Sequence, residues 1–162
     1  MDQQRILFVC LGNICRSPAA EEVFRQLVEQ RGLQPFFEVD SAGTGNYHVG
    51  ELPDQRMRVH ARRRGYELTH RCRQIASDDF RRFDVIVAMD AANADDLHRM
   101  APTPEAARKV VMMGDYIRLQ HGHYDYVPDP YYEGSEGFEL VLDLLEDACE
   151  CLLDSLTDKE MK

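Results

Sequence analysis

The sequence contains no apolar run approaching the ~18 residues that would cross a bilayer as a helix. The opening residues Met1-Asp2-Gln3-Gln4-Arg5 are not followed by the apolar segment and cleavage site of a signal peptide, so a cytoplasmic protein is expected. There is no internal repeat, low-complexity tract or linker, and residues 1–162 are expected to form a single domain. Positive charge is not in excess either. The 29 Asp+Glu against 19 Lys+Arg give a net charge of −10, which speaks against binding nucleic acid or an anionic membrane. A disulfide framework is also missing. The five cysteines are an odd number at irregular positions: Cys10, Cys15, Cys72, Cys149 and Cys151. Cys10 and Cys15 are too widely spaced for a zinc knuckle. Cys149 and Cys151 lie two apart on a predicted helix and so point to different sides. Reduced thiols are expected, with no metal and no cofactor.

What is present is enough apolar material for a core, 44% of the chain. Apolar runs rich in β-branched residues alternate with helical patterns, the sign of a parallel α/β sheet. Ile6 to Val9 reads as a buried strand, followed by a helix to about Arg31 that stops at Gly32, with Ser17 as its N-cap and Pro18 at the first helical position. Phe36 to Val39 reads as a second strand ending in a flexible turn, Asp40 to Gly45. A helix over about 53–64, a short turn capped at Ser77, a strand over 84–89, a helix over roughly 91–100 and a strand over 109–113 follow. A long loop contains His121, His123 and the run Val127 to Tyr132. Phe138 to Leu156 forms the last helix by its apolar stripe, and 157–162 should fray. The predicted fold is a four-stranded parallel twisted sheet with helices on both faces, in the flavodoxin-like manner. In such sheets ligands bind beyond the carboxyl ends of the strands.

The segment Cys10-Leu11-Gly12-Asn13-Ile14-Cys15-Arg16 is a seven-residue loop at such an end. Gly12 can take positive φ and Asn13 tolerates the left-handed region, so the backbone can curl its N–H groups inward as an anion nest. The helix N-terminus behind Ser17 adds partial positive charge, and Arg16 adds a planar fork for two phosphate oxygens. The field that holds phosphate also stabilises a thiolate at Cys10, giving a nucleophile without a histidine base. The loop lacks the Gly-Lys-Ser/Thr ending of an NTP-binding loop, and no G-x-G-x-x-G is present.

The run Val9 to Pro18 resembles the phosphate loop of the low-molecular-weight protein tyrosine phosphatases. Asp40-Ser41-Ala42-Gly43-Thr44 and Asp129-Pro130-Tyr131-Tyr132 resemble that family as well, as do the chain length and the N-terminal place of the loop. The resemblance implies hydrolysis of phosphotyrosine in proteins, with Cys10 as nucleophile, Arg16 and loop N–H groups on the phosphate, and Asp129 as general acid and then base. It implies that Ser17 donates to the Cys10 sulfur, in addition to any capping role. It places Asn13, Ser41 and His70 in a network supporting the loop, and Leu11, Ile14, Tyr47 and Tyr131 on the walls that receive a phenyl ring. Ile14 stands where related bacterial arginine phosphatases carry a threonine, which favours a flat aromatic ring. Asp90 would either orient Arg16 or cap the next helix. Cys15 would either form a reversible disulfide with Cys10 or pack in the core, and Cys72, Cys149 and Cys151 would pack. The implied partners are tyrosine-phosphorylated proteins, and the chain would be a monomer or weak dimer.

Three other readings stay open. An arginine phosphatase on the same fold is one. An arsenate reductase is another, but it needs a cysteine relay after the third strand, and no cysteine follows until Cys149. A phosphate-loop carrier would have to lack the acid at Asp129. Finally, residues 56–73 carry seven arginines against Glu67 alone, and 133–162 carry ten acids against Lys159 and Lys162. This dipolar pattern would either steer acidic phosphopeptides or mark two solvated faces.

Overall fold

The computed structural model describes residues 2–118 and 124–161, with side chains through residue 158. His121 and His123 lie outside the described residues. Four strands, β1 (Gln4–Cys10), β2 (Phe37–Gly43), β3 (Val85–Ala88) and β4 (Val110–Met112), form one parallel sheet in the order β2-β1-β3-β4. β1 is central and its residues alternate between two cores, as the two-residue period of a strand requires. Ile6, Phe8 and Cys10 join the core under α1 (Arg16–Gln30) and α6 (Ser135–Met161). Leu7 and Val9 join the opposite core with Phe80 of α3 (Ser77–Arg82), Leu97 of α4 (Ala91–Met100) and Ala106 of α5 (Pro104–Ala107). Helices therefore cover both faces. Phe24 of α1 meets the Phe8 and Phe37 rings at 5.6 and 5.8 Å, so truncating it to Ala should cost ~3–5 kcal/mol.

Several boundaries differ from those read in the sequence. β2 runs on through Asp40–Gly43 instead of ending in a flexible turn, because Cys10 pairs with Gly43 in the parallel ladder. α1 begins at Arg16 with Cys15 at the cap, and the Ser17 hydroxyl does not cap it. α2 (Gln55–Arg62) is capped by Asp54, whose side chain accepts from the Arg56 and Met57 amides. The last helix starts at Ser135 and continues to Met161 rather than ending near Leu156.

The two charge blocks pair with each other. Arg64, just beyond α2, lies 2.9 Å from both Glu139 and Asp143 of α6 and also bridges Glu146. Burial opposes the Arg64 charge, but these carboxylates outweigh it and raise its pKa.

Candidate active site

Strand β1 ends at Cys10 and helix α1 begins at Arg16, so the phosphate-loop segment is held at the carboxyl end of the sheet, under the open N-terminus of α1. Its curl depends on Asn13, the one described non-glycine residue at positive φ, 58°. Gly12 does not take positive φ, contrary to the sequence reading. Its lack of a side chain serves a different end, since a Cβ there would press to 3.3 Å from the His48 ring.

The loop's shape is fixed from behind by a buried polar network. Asn13 Nδ2 donates to Ser17 Oγ at 2.8 Å and to Ser41 Oγ at 3.0 Å. Ser41 in turn donates to Glu21 at 2.7 Å. The other face of the Asn13 amide, Oδ1, accepts from His70 Nε2 at 3.0 Å and the Arg73 amide at 2.9 Å. His70 Nδ1 faces Glu21 at 3.3 Å and Asp40 at 3.4 Å. The Cys72 thiol donates to the Asn13 carbonyl at 2.9 Å. Burial, then the nearby Cys10, push that thiol's pKa up to about 11, which keeps it a donor. Ile14 O accepts from the Asp54 amide at 2.8 Å, tying the loop to α2. At Gly43 a Cβ would lie 2.7 Å from Leu11 O, so only glycine lets β2 approach the loop.

On the pocket side, Ser17 Oγ lies 3.1 Å from Cys10 Sγ. Because the hydroxyl oxygen already accepts from Asn13, its hydrogen is free for the sulfur, the alternative acceptor Ala42 O being farther at 3.4 Å. Arg16 is buried. Its Nη1 donates to Asp90 at 2.6 Å and to Val127 O at 3.0 Å, which leaves the Nε–Nη2 edge as a fork. Burial works against the Arg16 charge, but the Cys10 sulfur and then Asp90 more than offset it. Asp90 does both things the sequence left open: one oxygen holds Arg16 and the other caps α4 through the Asn93 amide at 2.8 Å. Asp129 Oδ2 stands 3.7 Å from Arg16 Nη2, and its side chain is about half exposed. Cys15 is buried, and desolvation followed by Asp54 raises its pKa far above that of a free thiol.

A pocket of about 420 Å³ opens here, lined by Cys10, Gly12, Ile14, Cys15, Arg16 and Asp129, with Leu11, Tyr47 and Tyr131 on its walls. Arg56 lies over the Tyr131 ring, 5.2 Å from its centroid. His48 and Tyr132 also line the pocket, a place the sequence reading did not give them. Nor did that reading name Glu21, whose burial at the base of the network has no sequence signal beyond lying one helical turn past Ser17. Cys149 is fully buried and packs, its thiol turned toward Ala20 O.

Glu21, Asp40 and His70 lie close enough together to share a cation. Their oxygens are already taken by Ser41, Arg25 and Arg73, so the cluster is accounted for as loop support.

A cysteine and an arginine on one strand–loop–helix turn, facing a carboxylate across an aromatic-walled pocket, define the class of cysteine-dependent phosphate-loop proteins. A family profile described as "Low molecular weight phosphotyrosine protein phosphatase" matches residues 5–162, and the chain belongs to that family. A putative low molecular weight protein-tyrosine-phosphatase of Synechocystis is 49% identical over 152 residues, covering 94% of this chain and 96% of that protein. A crystal structure of a protein tyrosine phosphatase from Entamoeba histolytica, with Hepes in its active site, superposes with a TM-score of 0.93 at 42% identity. It covers 98% of this chain and 99% of its own. A Drosophila arginine phosphatase superposes at TM-score 0.86 and 36% identity, covering 93% and 96% of the two chains.

Proposed function

We propose that the chain hydrolyses phosphotyrosine in proteins, and small aryl phosphates, through a phosphocysteine on Cys10. The observation that carries this is the convergence of Cys10, the Arg16 fork and Asp129 on one pocket whose walls include Tyr47 and Tyr131. Arg16 Nε and Nη2 and the loop N–H groups bind the phosphate oxygens, in place before the reaction and so at no cost of reorganisation. The Cys10 thiolate attacks phosphorus, the P–O bond to the phenol breaks, and Asp129 gives its proton to the departing oxygen. The Asp129 carboxylate then takes a proton from water, whose oxygen attacks phosphorus. The S–P bond breaks, and the Ser17 hydroxyl stabilises the sulfur as it leaves. Inorganic phosphate is released and Cys10 is restored.

Tyrosine-phosphorylated proteins are the partners of this reading, in the cytoplasm, where the five free cysteines stay reduced. The test is rapid acid quench during turnover of a labelled aryl phosphate. A covalent label should map to the Cys10 peptide, and its absence there would remove the mechanism.

A second reading, dephosphorylation of arginine, is favoured by the likeness to the Drosophila enzyme. Against it, Ile14 lines the pocket and leaves no hydroxyl for a guanidinium. Side-by-side turnover of phosphotyrosine and phosphoarginine decides between them, and Ile14→Thr should shift the ratio toward phosphoarginine.

A further inference from the structure

We propose that a second depression beside the active-site pocket is a peptide subsite, which takes an apolar side chain flanking the phosphotyrosine. It rests on the phosphotyrosine reading above. The depression, about 300 Å³, is bounded by Leu11, Thr44, Gly45, Tyr47, Asp96, Arg99 and Met100. Leu11 and Tyr47 also wall the active-site pocket, so the two concavities share one partition. A chain leaving the pocket over that partition enters the second depression directly.

The partition is built rather than incidental. Gly45 donates its amide to Leu11 O at 2.9 Å, which holds the two wall segments together. A Cβ on Gly45 would fall 2.5 Å from the Tyr47 ring, so the ring packs close against a backbone that only glycine leaves open. Tyr47 is thereby seated as a ridge while remaining 70% exposed.

The chemistry of the floor selects the occupant. Leu11 and Met100, 43% and 38% exposed, offer apolar surface. Asp96 and Arg99 pair with each other one turn apart on α4. Neither is left over to neutralise a charged side chain, which would lose water and gain no counterion. An uncharged side chain of leucine or methionine size gains the burial instead. The polypeptide of a substrate places such groups at fixed intervals from the phosphotyrosine, ~3.3 Å per residue when extended.

The experiment uses phosphotyrosine peptides that differ only at the two positions on either side of the phosphotyrosine, carrying Leu, Gly, Glu or Lys there in turn. p-Nitrophenyl phosphate, which has no flanking residue, is run beside them. At one flanking position the wild-type kcat/KM should favour Leu over Gly by about 10-fold, with Glu and Lys no better than Gly. Met100→Ala should shrink that preference to about 2–3-fold and leave p-nitrophenyl phosphate turnover unchanged. Equal turnover of the Leu and Gly peptides at every position would overturn the subsite, as would a preference that survives Met100→Ala or one for a charged residue. Failure of the phosphotyrosine reading looks different, because no phosphotyrosine peptide would then turn over at all.

Discussion

Asn13 and Asp129 serve the same pocket, one from behind its loop and one on its wall, and their surroundings are opposite. Asn13 is fully buried, and Ser17, Ser41, His70, Cys72 and Arg73 satisfy its side chain and carbonyl. Asp129 is about half exposed. Its carboxylate meets the Tyr131 amide at 3.1 Å and Arg16 at 3.7 Å. The segment beneath it is tied to the sheet by the Val127 amide on Met89 O and by Arg16 on Val127 O. The two prolines beside it, Pro128 and Pro130, stiffen the chain while offering no backbone donor. An anion cradle has to be shaped before the anion arrives. A proton carrier has to meet solvent, because the second step brings water to it.

The contrast can be broken most severely at the sulfur. Cys10→Ser should abolish measurable turnover while calorimetry still detects inorganic phosphate, because the cradle is backbone and Arg16. Arg16→Lys should reduce kcat by ~10²–10³-fold, since an ammonium cannot span two equatorial oxygens and leaves Asp90 without its fork.

Asp129→Ala should lower kcat by ~10²–10⁴-fold for aryl phosphates with basic leaving groups, and by much less where the leaving group is a weak base. The urea midpoint should hardly move. A loss independent of leaving-group basicity would take the first proton transfer away from Asp129. Ser41→Ala should do the reverse. It strips Asn13 and the buried Glu21 of a partner, so urea titration should show a loss of ~1–3 kcal/mol together with weaker phosphate binding. If both variants moved stability equally, the division between a rigid cradle and a tethered acid would fail.

The smallest effect on catalysis is expected at Cys15. Its buried thiol is held protonated, so Cys15→Ser should turn over normally. After brief peroxide the difference should appear. In the wild type a Cys10 sulfenic acid condenses with the Cys15 thiol, forming the S–S bond and releasing water, and dithiothreitol restores activity. The loop has to rearrange to bring the two sulfurs into bonding geometry. Cys15→Ser should recover poorly as its sulfenic acid proceeds to sulfinic acid. Equal recovery, with no Cys10–Cys15 link by mass spectrometry, would leave Cys15 as a packing residue.

The strand–loop–helix unit that carries Cys10 and Arg16 was readable, because a continuous apolar run, a Gly-Asn pair and a helical pattern follow one another without interruption. The extension of β2 was not. Asp40 and Ser41 are polar, and nothing local reveals that they lie in a ladder beneath the loop. Ser17 looked like a cap because serine before proline usually is one. Tertiary partners, Cys10 and Asn13, claimed its hydroxyl instead. Glu21 gives no signal in the sequence, since its burial depends on Ser41 and His70 from distant segments. Strand order and the pairing of Arg64 with α6 are likewise properties of the assembled chain.

Gly43 ties the pocket to the history of the whole chain. Its amide donates to Arg73 O and its carbonyl accepts from the Ile75 amide, each at 2.8 Å, while its bare α-carbon rests against the loop. The cradle is therefore completed by segments around residues 10, 43 and 74, which meet only after long loops have closed. Contacts of that separation form slowly in folding and are lost together. Affinity for phosphate then belongs to the native ensemble alone, and mass action makes the reaction's own product a stabiliser. With inorganic phosphate at about 100 times its dissociation constant, the folded state gains ~2.7 kcal/mol, seen as a concentration-dependent rise in Tm.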